Sequence, residues 1–320
     1  MTPTSSPKRL IVAINPSARF GANKGVGATM VERLRGLGHT VVDLIEPSYQ
    51  ELIASAKREI ATKPDAFIIV GGDGMVNLGT NLVAGTGVPL GLIPAGTGND
   101  MARALGIPHE NQTAALDILI EALNHPARAI DAGHVTAADG TERWFGCMLS
   151  AGFDSIVNER ANTWQHPKGA SRYTLAMLRE LVTLKPIQYK ITHDGTLLET
   201  GGMMVSVGNG QSLGGGMKVT PSAVIDDGLL DILIVGPLSR LSFLRIFPRV
   251  FAGTHVTDPR VQIIKAKKIR IEAANVYAYS DGERMGPLPV DIEVRPDALY
   301  VLAPPVTSET PEPKKAAAAS

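Results

Sequence analysis

Between Leu10 and Asp100 the chain alternates short apolar runs with amphipathic helical patterns, and no other feature limits its fold as strongly. Leu10–Ile14, Val41–Ile45, Ala66–Val70 and Leu90–Ile93 are too short for helices and read as buried strands. Between them, Met30, Val31, Leu34 and Leu37, then Leu52, Ile53, Ala56 and Ile60, recur at helical spacing. Each helix can therefore lay one face on a sheet. Strands alternating with helices imply a parallel sheet, so residues 1–130 are expected to form an α/β domain.

From Asp131 the pattern changes. Trp144–Leu149, Met203–Val207, Leu229–Val235, Ile269–Glu272, Tyr277–Tyr279 and Val290–Val294 read as short strands, interrupted by helical patterns over Tyr173–Leu184 and Leu241–Phe251. A β-rich, sandwich-like second domain over 131–305 follows. Residues 306–320, rich in Pro, Ser, Thr and Ala, have no pattern capable of burial and are expected to be a disordered tail. A length of 320 residues suits two domains.

Charge narrows the partners. Lys plus Arg equals Asp plus Glu at 31 each, so no global field draws the chain to nucleic acid. Cys147 is the single cysteine, which excludes an internal disulfide or thiolate cluster and suits a reducing, cytoplasmic compartment. Leu10–Ile14 is too short for an export signal, and Asp231 and Gly236-Pro237 interrupt the best apolar stretch. Such a chain can visit a membrane but is not expected to cross it.

Three strands of the first half end in turns suited to a phosphate chain. Asn15-Pro16 follows the first, Gly71-Gly72-Asp73-Gly74 the third, and Pro94-Ala95-Gly96-Thr97-Gly98-Asn99-Asp100 the fourth. Ligands bind at this carboxyl edge of parallel sheets, where glycines let backbone N–H groups approach phosphate. A single such loop is better explained as a tight turn, and Asp100 is equally well explained as a helix cap. Two dense loops together favour a nucleotide. The G-x-x-x-x-G-K-[ST] motif is absent, and Gly25-Val26-Gly27 begins too far beyond its strand for a dinucleotide fingerprint. Gly210-Gln211-Ser212-Leu213-Gly214 matches a serine-hydrolase elbow, but Gly215, Gly216 and Val219-Thr220-Pro221 follow where that motif needs a helix.

The Gly71–Gly74 and Pro94–Asp100 motifs resemble the catalytic-domain signature of the diacylglycerol kinase and sphingosine kinase family. Asp131-Ala132-Gly133, Gly152-Phe153-Asp154, Gly208-Asn209, Gly214-Gly215-Gly216, Asp227-Gly228-Leu229-Leu230-Asp231 and Asp281-Gly282-Glu283 stand in that family's order. The resemblance covers residues 10–303 and is greatest to soluble actinobacterial diacylglycerol kinases. It implies a Rossmann-like domain of the NAD-kinase and diacylglycerol-kinase type joined to a β-sandwich-like lipid domain, with ATP in the cleft and magnesium as cofactor. Asn15, Gly71, Gly72, Asp73, Gly74, Gly96, Thr97, Gly98 and Asn99 would then hold nucleotide. Asp73 would act through magnesium, Asp281 would be the general base, Glu283 would support nucleotide or metal, and Asp227 would be a structural-magnesium carboxylate. The partner implied is diacylglycerol or a related lipid at a membrane surface, with peripheral association during turnover, and a homodimer is compatible.

Other readings of the same residues stay open. Asp281-Gly282 also suits a hairpin turn, and Asp226-Asp227-Gly228 a solvated one. Met75, Asn77 and Leu78 stand where the family usually has Thr and an Asn-Glu pair, and Arg19 replaces a usual glycine. NAD kinase is the rival phosphotransferase; a non-catalytic nucleotide-binding regulator is the rival of another class. Phe243, Leu244, Phe247, Val250 and Phe251, interleaved with Arg240, Arg245 and Arg249, fit core packing or membrane docking. Trp164 with His166 and Lys168 is a second candidate for lipid contact.

Overall fold

The computed structural model describes residues 6–15, 25–164, 170–183 and 185–305. Pro16, Arg19, Gly21, His166, Lys168 and the 306–320 tail lie outside the described residues. The first half runs β1 (Arg9–Ile14), α1 (Val26–Gly36), β2 (Thr40–Leu44), α2 (Tyr49–Ile60), β3 (Ala66–Gly71), α3 (Asp73–Val83), β4 (Leu90–Pro94), α4 (Asp100–Ala104) and α5 (Gln112–Ala122). The strands line up parallel as β2-β1-β3-β4. Every residue of β3 and β4 is buried, as helices on both faces of a parallel sheet require. Ser48 starts α2 by accepting from Glu51 N, and Leu52, Ala56 and Ile60 are its buried face.

The second half continues with β5 (Arg128–Ala137), β6 (Glu142–Phe145), β7 (Met148–Gly152), α6 (Phe153–Thr163) and α7 (Ala170–Thr183). Then come β8 (Ile187–His193), β9 (Thr196–Gly202), β10 (Met204–Gly208), β11 (Leu230–Val235), α8 (Arg240–Ile246) and α9 (Arg249–Ala252). β12 (Val261–Ala266), β13 (Lys268–Glu272), β14 (Tyr277–Ser280), β15 (Glu283–Pro287) and β16 (Val290–Leu302) complete the order. An antiparallel sheet forms as β12-β11-β10-β7-β14-β15. The remaining strands extend the first sheet to ten, because β16 pairs parallel with β4 through Val301↔Leu90 and antiparallel with β13 and β5.

Phe145, Leu149, Tyr189, Ile191, Val205, Val207, Ile232, Ile271 and Ile292 fill the space between the sheets. These residues alternate with others along their strands, so one face of each sheet makes the sandwich core. The opposite face of the antiparallel sheet receives α6 and α8, where Phe153 meets Phe243 edge-on at 4.8 Å. The expected strand Trp144–Leu149 is two strands, parted at Gly146-Cys147 by a contact described below. The expected helix Leu241–Phe251 is also divided, because Pro248 lacks the N–H that would continue α8.

Candidate active site

The two glycine turns leave adjacent parallel strands and touch backbone to backbone. A Cβ on Gly72 would lie 2.8 Å from Gly96 Cα, so glycine is required there by space alone, its backbone being extended with φ −95°. Asn15 joins them from the end of β1, where its N–H donates to Val70 O at 3.2 Å. A Cβ on Gly71 would stand 3.7 Å from Asn15 Cβ.

Asp73 opens α3 and reaches across to the start of α4. Its Oδ2 accepts from Asn99 N at 3.1 Å and its Oδ1 from Asp100 N at 2.9 Å. Burial raises the Asp73 pKa; the Asp100 amide opposes the rise and the Asp100 carboxylate adds to it. Asn99 sits at φ 53° and turns its amide onto its own loop, accepting from Gly96 N (3.1 Å) and donating to Gly96 O (2.9 Å). Its side chain shapes the loop, while Thr97 is exposed. Beside this turn, Arg103, His109 and Lys218 border a cleft of about 450 Å³ with Ile107 and Pro108 on its wall.

Asp281 arrives from the second half in the turn between β14 and β15. Asp281 (φ 46°) and Gly282 (φ 84°) both occupy the left-handed region, as a two-residue hairpin of the I′ kind requires. The hairpin and the candidate base are thus one turn. Oδ1 of Asp281 accepts from Cys147 N (3.1 Å) and Met148 N (2.7 Å), and Oδ2 from Gly146 N (2.8 Å). These amides belong to the β6–β7 corner, and their capture explains why the strand breaks there. Burial pushes the Asp281 pKa up to about 6; the amides of Met148, Gly146 and Cys147 oppose this, and Asp73 adds to it. Glu283 Oε1 lies 3.8 Å from the Cβ position of Gly74, so the same hairpin brings a second carboxylate to the first glycine turn.

Sequence reasoning missed the ties that hold the two halves together. Asn77 Nδ2 donates to Ser280 O at 3.2 Å, one residue before Asp281. Asn81 Nδ2 donates to Trp144 O (3.0 Å), and Asn81 Oδ1 accepts from Trp144 N (2.9 Å). Two asparagines four apart on one side of a largely buried helix were the available signal. Asp100 does more than begin a helix, because its carboxylate accepts from Gly215 N (3.1 Å) and Gly216 N (2.9 Å). The serine-hydrolase elbow is not formed: Ser212 is buried, and Leu213 bridges to Met217 where a helix would be needed.

Magnesium fits one of its two expected places. The Asp100 carboxylate raises the Asp73 pKa and Asp73 in turn raises that of Asp281, an accumulation of carboxylates that a divalent cation would relieve. No three His, Cys, Asp or Glu side chains among the described residues converge tightly enough to hold a metal unaided. Magnesium that keeps waters and phosphate oxygens needs only one or two carboxylates, so Asp73 suits it. Asp227 differs. Its Oδ2 lies 2.7 Å from Lys265 Nζ, which is also 3.4 Å from Asp231 Oδ2. The ammonium takes the place of a cation, and these residues do not fit magnesium.

Comparison with known proteins bears on the fold and the family. The family described as "Diacylglycerol kinase catalytic domain" matches residues 9–135, and "YegS C-terminal NAD kinase beta sandwich-like domain" matches 147–303. A diacylglycerol kinase of Mycobacterium tuberculosis is 38% identical over 291 residues, covering 91% of this chain and 93% of that one. One from Bacillus subtilis is 28% identical, covering 88% and 92%. The crystal structure of a putative diacylglycerol kinase from Bacillus anthracis superposes with a TM-score of 0.73 at 27% identity, covering 93% and 98%. The catalytic-domain match over the first half and the kinases among its relatives make the chain a kinase-type phosphotransferase. The chain belongs to the diacylglycerol kinase family, and ATP is the co-substrate that membership implies.

Proposed function

We propose that the chain transfers the γ-phosphoryl group of ATP to the free hydroxyl of diacylglycerol, giving phosphatidic acid. The observation that carries this reading is Asp281: a buried carboxylate with a pKa of about 6, anchored by three amides and electrostatically coupled to Asp73. Such a group is mostly ionised at pH 7 and close enough to neutrality to accept a proton. Oδ1 receives two amides and Oδ2 one, which leaves a lone pair on Oδ2 for the alcohol's proton. As that proton leaves, the alcohol oxygen bonds to phosphorus and the β–γ bridge breaks, releasing ADP.

Residues 1–130 would hold the nucleotide and 131–305 the lipid. N–H groups of Gly71–Gly74 and Gly96-Thr97-Gly98, with Asn15 and the Asn99-shaped loop, would cradle the phosphates, and Glu283 would support them from the hairpin. Asp73 would hold magnesium, which when bound supplies charge neutralisation at the γ-phosphate. Diacylglycerol as acceptor is supported by the names of the relatives. The lipid would be met at the cytoplasmic face of a membrane; no described helix is long and apolar enough to cross one.

Asp281→Asn tests the reading. ATP binding by calorimetry should persist while transfer to diacylglycerol falls by at least about 100-fold. Wild-type turnover in the variant would remove Asp281 from the reaction.

A further inference from the structure

Packing sorts the Arg240–Ala252 segment into two faces. Phe243 and Ile246 point inward, and the Phe243 ring stands 5.8 Å from Phe247 as well as against Phe153. Leu241, Leu244 and Phe251 point outward at 59%, 48% and 53% exposure. Leu241 and Leu244 are one helical turn apart, so they share a side of α8. Arg240 and Arg245 are exposed on the same stretch, and neither has a carboxylate partner among the described residues. The segment contains no acidic residue.

Core packing accounts for the inward face only. Three large apolar side chains left in water within eleven residues, beside two unpaired cations, mark an interaction surface. A second copy docked by two-fold symmetry would set this patch against itself, bringing Arg240 and Arg245 towards like charges with no acidic residue between them. An anionic bilayer has complementary chemistry, because headgroup phosphates meet the guanidinium groups while apolar side chains enter the interface.

We propose that the outward face of α8 and α9 docks the protein onto an anionic phospholipid bilayer through Leu241, Leu244, Phe251, Arg240 and Arg245. The proposal rests on the lipid-kinase reading, since that acceptor resides in a bilayer. It also connects to the site. Val250 O accepts from Lys218 N at 3.0 Å, and the neighbouring Gly215 and Gly216 amides bind Asp100, whose own amide binds Asp73. The docking face is thus hydrogen-bonded into the loop network that ends at the first glycine turn.

Vesicle sedimentation of the full chain decides the matter, using phosphatidylcholine vesicles with and without phosphatidylglycerol. Wild type should bind the anionic vesicles, and binding should weaken as salt rises. Leu241→Ser/Leu244→Ser and Arg240→Gln/Arg245→Gln should each lose about tenfold or more in vesicle affinity. Both should keep the wild-type unfolding temperature, and both should phosphorylate a short-chain, monomerically dissolved diacylglycerol at the wild-type rate. Wild-type binding by both variants, or equal wild-type binding to neutral and anionic vesicles, overturns the proposal. So does a wild-type dimer that the Leu241→Ser/Leu244→Ser change splits. Failure of wild type to phosphorylate the soluble lipid would instead overturn the kinase reading, with vesicle binding still deciding the docking.

Discussion

The Asp281 carboxylate offers a prediction in which stability and pH are linked with a sign fixed by the structure. Its pKa rises from 3.8 to about 6 on folding, chiefly through burial. A carboxyl with a raised pKa holds its proton more tightly in the folded state, so it costs stability as pH climbs from 3.8 towards 6 and the cost levels off above that. The full effect is about 3 kcal/mol, of which about 2 kcal/mol falls between pH 4.5 and 7.5. Asp281→Asn removes this cost, but the amide nitrogen of asparagine cannot accept from Gly146 N, and an orphaned buried N–H costs about 1–3 kcal/mol. The variant should therefore be less stable than wild type at pH 4.5 and close to it at pH 7.5. Urea unfolding at a series of pH values measures the difference. A gap between variant and wild type that stays constant across this range would refute a buried, titrating Asp281.

Four further outcomes follow from the same geometry. The rate of phosphate transfer should climb with pH through about 6 and then level, since Asp281 must be ionised to take a proton, and a pH–rate profile without that limb would oppose its role. Gly72→Ala should weaken ATP binding by about tenfold or more and cost about 1–3 kcal/mol, because the new methyl group meets Gly96 Cα; calorimetry and thermal unfolding read the two effects. The wild-type unfolding temperature should be the same in EDTA and in magnesium without nucleotide, because Lys265 already neutralises Asp227. Lys265→Ala should lower that temperature by leaving the buried Asp231 carboxylate without its cation.

Much of this arrangement was legible in the sequence where one physical signal dominated. Apolar runs such as Ala66–Val70 allow only burial on both faces, and the glycine turns after β3 and β4 fall where a parallel sheet binds ligands. Strands carrying mixed signals were missed. β5 contains Asp131, Gly133 and His134, yet it pairs along most of β16, and Gly133 leaves room for the Phe145 ring. β8 and β9 form a half-exposed hairpin whose polar residues hide its alternation. At the site, residue types were readable and contacts were not. Nothing local shows that Asp281 will bind amides 133 to 135 positions away, that Asp100 will bind Gly215 and Gly216, or that Lys265 will reach Asp227.

The most direct test of the central claim is phosphate transfer from γ-labelled ATP to diacylglycerol, sphingosine and NAD, offered separately with magnesium and, for the lipids, in mixed micelles. The account predicts labelled phosphatidic acid from diacylglycerol, well above the other two acceptors. Labelled NAD phosphate with no lipid product, or no transfer to any acceptor despite ATP binding, would contradict it.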